Sequence, residues 1–137
     1  MNLDSSAFIA DKELIDALEK RSIQIVCEED RDLFRQGEMP TGLFILHSGK
    51  VTITMKSPLG EDVMCFPAAL GSVLGLPGLI GNQPYTLTAF AAKGTALSFI
   101  SREDFSNMML TEPSLSLRVL RILAAEVRTA RHALSAF

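Results

Sequence analysis

Apolar and polar positions along this chain follow two different periods, and the change from one to the other is the first thing to explain. Residues 11–20 carry Leu14, Ile15 and Leu18 behind Asp11, which predicts a short amphipathic helix with an aspartate N-cap. Ser22–Cys27 then alternates in part and is rich in β-branched residues, which predicts a strand. From there to about residue 100 the chain breaks into short apolar blocks separated by Gly and Pro. Leu33-Phe34 runs to Gly37, Leu43–Leu46 stops at Ser48-Gly49, and Val51–Met55 alternates up to Pro58-Leu59-Gly60. Ser48-Gly49 between two such blocks predicts a tight hairpin. Further strands are expected at Asp62–Phe66, Thr86–Ala91 and Ala96–Ile100. Short strands at this spacing predict a sandwich or a barrel-like roll.

After residue 100 the period becomes helical. Ser101 can cap a helix over 102–110, with Glu103 and Asp104 in its first turn, where the helix dipole favours acids. Pro113 suits the first turn of a longer helix that continues to the end. Along that helix Leu120, Leu123, Val127, Ala130, Leu134 and Phe137 are spaced 3, 4, 3, 4, 3, a heptad seam. Such a seam either folds back on the roll or pairs with its twin. A homodimer is expected, because a roll of this size would leave much of so long an apolar stripe exposed.

Composition narrows the picture. The 137 residues suit one domain, in which 11–20 is the N-terminal helix, 22–100 the β-roll and 101–137 the C-terminal helices. A net charge of -3 argues against affinity of the whole domain for nucleic acid or an anionic membrane. Neither a basic-then-apolar leader nor a run long enough to span a membrane is found, so a cytoplasmic location is expected. Two cysteines, Cys27 and Cys65, cannot make a disulfide-dense scaffold.

Three blocks carry a resemblance. The first is Leu33-Phe34-Arg35-Gln36-Gly37, then Gly42–Leu46 and His47-Ser48-Gly49-Lys50-Val51; the second is Gly71-Ser72-Val73-Leu74-Gly75-Leu76; the third is Ser101–Phe105 leading through Glu112-Pro113 into the long helix. In order and content they resemble the effector domain of the CRP/FNR regulators, and the cyclic-nucleotide-binding domains of kinases and channels. The resemblance implies a mainly β fold with flanking helices. This is a double-stranded β-helix, jelly-roll-like, with a long C-terminal dimerisation helix. It also implies a regulatory sensor rather than an enzyme.

Ligand-binding members of that family hold the nucleotide with a cassette reading Gly-Glu, about ten residues, then Arg-Ser/Thr-Ala. The glutamate accepts from the ribose and the arginine pairs with the phosphate. Laid on this pattern, Gly75 takes the glycine, Leu76 the glutamate and Thr86 the arginine, followed by Leu87 and Thr88. The register Gly71-Ser72 supplies no acid either. Between Lys56 and Lys93 there is no Lys or Arg at all. Loss of the charged partner of a buried phosphate costs about 2–5 kcal/mol. The expected pocket is therefore apolar, lined by Leu74, Gly75, Leu76, Leu79, Ile80, Thr86, Leu87 and Thr88, with Arg131 of the terminal helix as the nearest candidate cation. Binding of cAMP or cGMP in the usual way is not expected; a receptor with a divergent pocket, taking its cation from Arg131 or a partner subunit, is the alternative.

Other chemistry finds little support. His47 and His132 are the only histidines and neither sits in a metal-spaced cluster, so no metal or cofactor is expected. No triad, nucleophile elbow or phosphate loop is present. Arg118, Arg121, Arg128 and Arg131 stand against one acid, Glu126, on the terminal helix, which reads as a solvated basic face. A family winged helix-turn-helix would follow this helix, so no nucleic-acid contact is expected from this chain alone.

Overall fold

In the computed structural model, which describes residues 10–135, eight short strands form two four-stranded antiparallel sheets flanked by helices. The chain runs α1 (Lys12–Glu19), β1 (Ile23–Val26), β2 (Arg31–Phe34), β3 (Gly42–Ser48), β4 (Val51–Lys56), β5 (Asp62–Pro67), β6 (Val73–Leu74), α2 (Leu76–Gly81), β7 (Thr88–Ala91), β8 (Ala96–Ser101), α3 (Arg102–Thr111), a 3₁₀ turn (Pro113–Leu115) and α4 (Ser116–Ser135). One sheet has the order β1-β8-β3-β6 and the other β2-β7-β4-β5. This is the expected roll. Asp11 caps α1 by accepting from the Leu14 amide at 3.0 Å, and Ser101 caps α3 by accepting from Asp104 at 3.1 Å.

One expectation fails here. Ser48-Gly49 does not close a hairpin, because β3 pairs with β6 and β8 while β4 pairs with β5 and β7. The turn is a corner that sends the chain from one sheet to the other. Gly49 has φ +92°, and a Cβ there would lie 2.6 Å from the Thr95 backbone, so no other residue fits. The Thr95 hydroxyl accepts from the Lys50 amide at 3.0 Å and fixes the corner. The true hairpin is β4–β5, turned by Ser57–Glu61.

Two cores result. Inside the roll, Phe44 and Leu46 of β3, Leu97 of β8, Val51, Ile53 and Met55 of β4, and Ala89 and Ala91 of β7 face one another. Outside it, Leu43 and Ile45 of β3, Ile100 of β8 and Val73 of β6 pack under the helices, against Leu14 and Leu18 of α1, Phe105 and Met108 of α3, and Val119 and Ile122 of α4. A strand covered on both faces must be apolar without alternation, which is why Leu43–Leu46 reads as a continuous run.

Candidate functional site

The residues expected to line one pocket are divided between the two cores. Leu74 and Leu87 point into the roll, whereas Leu76 and Leu79 belong to the outer core beneath the helices. Ile80 is 38% exposed and faces a surface groove of about 340 Å³ lined by Leu79, Phe105, Ser106, Met109 and Leu110. Thr86 is exposed, and the Thr88 hydroxyl accepts from the Gln36 amide at 2.9 Å. Arg131 is exposed on α4. Ser72, the acid position in the other register, is fully buried and donates to the Ala69 carbonyl at 2.6 Å.

What fills the cassette is a residue that the sequence reading passed over. Tyr85 is buried, with its ring stacked on Phe34 at a centroid distance of 4.2 Å. Its hydroxyl donates to the Gly42 carbonyl at 2.7 Å and accepts from the Thr41 amide at 3.1 Å. Gly75 has φ +99°, and a Cβ there would sit 3.1 Å from the Tyr85 ring, so the glycine of the cassette makes room for the tyrosine. The cleft bounded by Phe34, Gly75, Pro77, Gly78, Tyr85, Thr86 and Leu87 retains only about 10 Å³ of free space. That accommodates about one water, whereas small-molecule pockets span roughly 300–1,000 Å³. A lone tyrosine with no partner in its own segment gave no periodic signal; only the third dimension pairs it with Phe34 and Gly42.

α4 is the second element with chemistry. Its docked face is Val119, Ile122 and Glu126, which lie over the outer core and run toward α2 and β5. Its outward face carries Leu117, Leu120 and Val127, exposed by 58%, 51% and 42%, with the exposed Ala124 between them. The expected seam thus needs correction. Leu123 is half-buried against the chain's own core, so the outward stripe runs 117, 120, 124, 127 rather than through 123. Phe137 lies outside the described residues, as do the side chains of Ala130 and Leu134.

The basic reading of α4 also changes. The Arg118 guanidinium reaches Asp11 at 2.7 Å and Glu13 at 2.9 Å, clamping α4 to the start of α1. Together the Leu14 amide and Arg118 hold the Asp11 carboxyl below its ordinary value. Glu126 does not belong to the solvated face. It is 3% exposed, and neither carboxylate oxygen has a hydrogen-bond partner among the described residues. Burial raises its pKa well above the usual carboxylate value.

His47 is more than a turn residue. Its Nε2 lies 2.8 Å from a Glu19 carboxylate oxygen and 2.6 Å from the Ser98 hydroxyl, joining α1 to the outer face of β3 and β8. Ser98 also donates to Glu19 at 2.8 Å. All three groups meet at one imidazole nitrogen, which is a structural knot and not the in-line geometry of a nucleophilic triad. No group of three or more metal-ligating side chains occurs among the described residues, and no described helix is long and apolar enough to cross a membrane. Cys27 is buried in the roll while Cys65 is exposed on β5.

Comparison with known proteins agrees with this architecture. The family model described as the cyclic nucleotide-binding domain matches residues 24–112, more than half of the chain. The catabolite activator protein of Thermus thermophilus is similar in structure (TM-score 0.74, 21% identity), over 92% of this chain and 59% of that one. A protein of a bacterial cyclic-GMP-dependent signalling pathway in phytopathogenesis gives TM-score 0.72 at 22% identity, over 87% of this chain and 94% of the other. The sensor domain of the transcriptional regulator DNR from Pseudomonas aeruginosa gives 0.63 at 21% identity, over 85% and 79%. The chain therefore spans about three-fifths of the Thermus protein and most of the other two. No functionally curated protein matches the sequence.

Proposed function

Because the chain belongs to the cyclic nucleotide-binding domain family, we propose that it is a regulatory sensor module of the CRP/FNR type whose cassette does not hold cAMP or cGMP and whose output is the pairing of α4. The observation that carries this is the Tyr85–Phe34 stack, which occupies the cassette cleft and leaves about 10 Å³. No cation lies within the cassette to replace the missing arginine, and Thr86, at the arginine position, is exposed. A cyclic nucleotide entering this cleft would have to displace a buried aromatic ring and break its hydrogen bonds, and would meet no compensating charge.

The output side of the reading rests on Leu117, Leu120 and Val127. Three large apolar side chains exposed in one stripe suit a symmetric partner helix, and the exposed Arg121 and Arg128 flank them. We read the module as a non-enzymatic homodimer of the cytoplasm, without a cofactor, acting through a small apolar ligand or a protein partner.

The test is calorimetric titration of the purified chain with cAMP and cGMP at near-physiological salt, with light scattering for its mass. A dimer giving no heat up to millimolar ligand is the expected result. A saturating micromolar signal would overturn the cassette reading, and its loss in Arg131→Ala would locate the cation on α4. A monomer at tens of micromolar would overturn the dimer.

A further inference from the structure

Glu126 sits in the middle of α4 on the face that carries Val119 and Ile122, and this face packs over the roll. It is the one acid of the helix, and its carboxyl is enclosed without a donor among the described residues. The elements packed on α4 offer it no counter-charge. Residues 76–81 of α2 and 113–115 of the 3₁₀ turn hold no titratable group. On β5 the titratable groups are Asp62 and Cys65, both exposed, and Asp62 lies 3.9 Å from Lys56. The acids of α1 near the helix, Asp11 and Glu13, face Arg118, more than two turns from Glu126. On α4 itself Arg121, Arg128, Arg131 and His132 are exposed, and the nearby Thr129 hydroxyl donates to the Ala125 carbonyl at 2.9 Å.

A carboxylate without donors cannot remain in such a place, whereas a neutral carboxyl can. We propose that Glu126 makes the docking of α4 proton-linked: with its carboxyl protonated the helix lies on the roll, and loss of that proton to solvent favours a state in which α4 has lifted away. The raised pKa of the docked carboxyl is in keeping with this. In sign, docking of α4 is fully favoured below the ordinary carboxylate range. It weakens as pH rises above that range toward the docked value, because the lifted state binds fewer protons. Within that window one proton released per opening raises the opening equilibrium constant about tenfold per pH unit. The inference rests on α4 being the moving element of the sensor reading, but not on the filled cassette or on dimerisation.

The experiment is hydrogen exchange by mass spectrometry on peptides within residues 116–135, from pH 5 to 8, comparing the whole chain with Glu126→Gln. Taking the ratio at each pH cancels the intrinsic pH dependence of exchange. The ratio of wild-type to variant exchange should climb steeply with pH in α4 and stay flat in β3 and β8. A pH-independent ratio in α4 would overturn the proposal, as would an equal rise in the strands. Glu126→Met provides the same comparison if the glutamine variant does not fold. A monomeric mass would defeat the dimer and nucleotide heat the cassette reading, and either would leave this ratio intact.

Discussion

The ring of Phe34, on β2, lies 4.2 Å from that of Tyr85, in the loop before β7, with an interplanar angle of 20°. Between them they fill the cleft beside Gly75 and Thr86, which keeps about 10 Å³ of free space. The hydroxyl of Tyr85 ties this plug to both the carbonyl and the amide of Gly42, at 2.7 and 3.4 Å.

Removing that hydroxyl should therefore be felt. Tyr85→Phe leaves the buried Gly42 carbonyl without the tyrosine's proton and should cost about 1–3 kcal/mol in urea unfolding. Tyr85→Ala also opens a void and should cost about 3–5 kcal/mol. If the phenylalanine variant matches the wild type, the hydroxyl bonds are not holding the cassette shut.

Restoring the missing cation alone should not restore a receptor. Thr86 is exposed, so Thr86→Arg should leave stability within about 0.5 kcal/mol. Calorimetry of this variant should still show no cAMP heat, because the cleft remains filled by Tyr85. Micromolar binding by Thr86→Arg would mean that charge, not space, was the only obstacle.

The two faces of α4 should separate cleanly under mutation. Leu120→Asp and Val127→Asp place a charge on the outward stripe and should give a monomer by light scattering with little change in monomer stability. Ile122→Ala, on the docked face, should instead lower stability by about 2–5 kcal/mol. An unchanged mass in both outward variants would place the pairing surface elsewhere.

Asp11 joins the N-cap of α1 to the Arg118 clamp, and its carboxyl is held below the ordinary value. Its contribution is accordingly present above the ordinary carboxylate range and is lost as pH falls through the lowered value. Asp11→Ala should cost about 1 kcal/mol near pH 7. Thermal melts of the two proteins should converge in strong acid. A gap that stays constant down to pH 2 would show that the charge of Asp11 has no part in it.

How much of this was legible in the residues follows from the kind of signal each carries. The caps at Asp11 and Ser101 are local, so sequence spacing found both. Seven of the eight strands announced themselves, β1 through its β-branched residues and six through apolar blocks next to Gly or Pro. β6 did not, since two residues have no period. The corner at Gly49 read as a hairpin because the same positive-φ glycine serves both purposes, and only the strand pairing distinguishes them. A helix such as α4, with one face docked and one outward, carries two interleaved stripes. The spacing 120, 123, 127 took a member from each. Glu126 was counted as a surface acid because charge implies solvent, and its burial is a property of the packing of α4 over the roll.

The corner at Gly49 has a consequence for how the chain can be made. Because β3 and β4 part company there, only β4 and β5 find each other nearby in sequence. β1 must wait for β8, with Ile23 paired to Phe99, and β2 for β7, with Arg31 paired to Ala91. On a ribosome the first half of the chain therefore emerges with its strand edges unmatched. The roll can begin to close only when residues 88–101 are released, and α4 should be the last element to settle. Such long-range closure folds slowly and leaves apolar edges open while it waits. Truncation just before β8 should accordingly yield no smaller folded core, only an aggregation-prone chain.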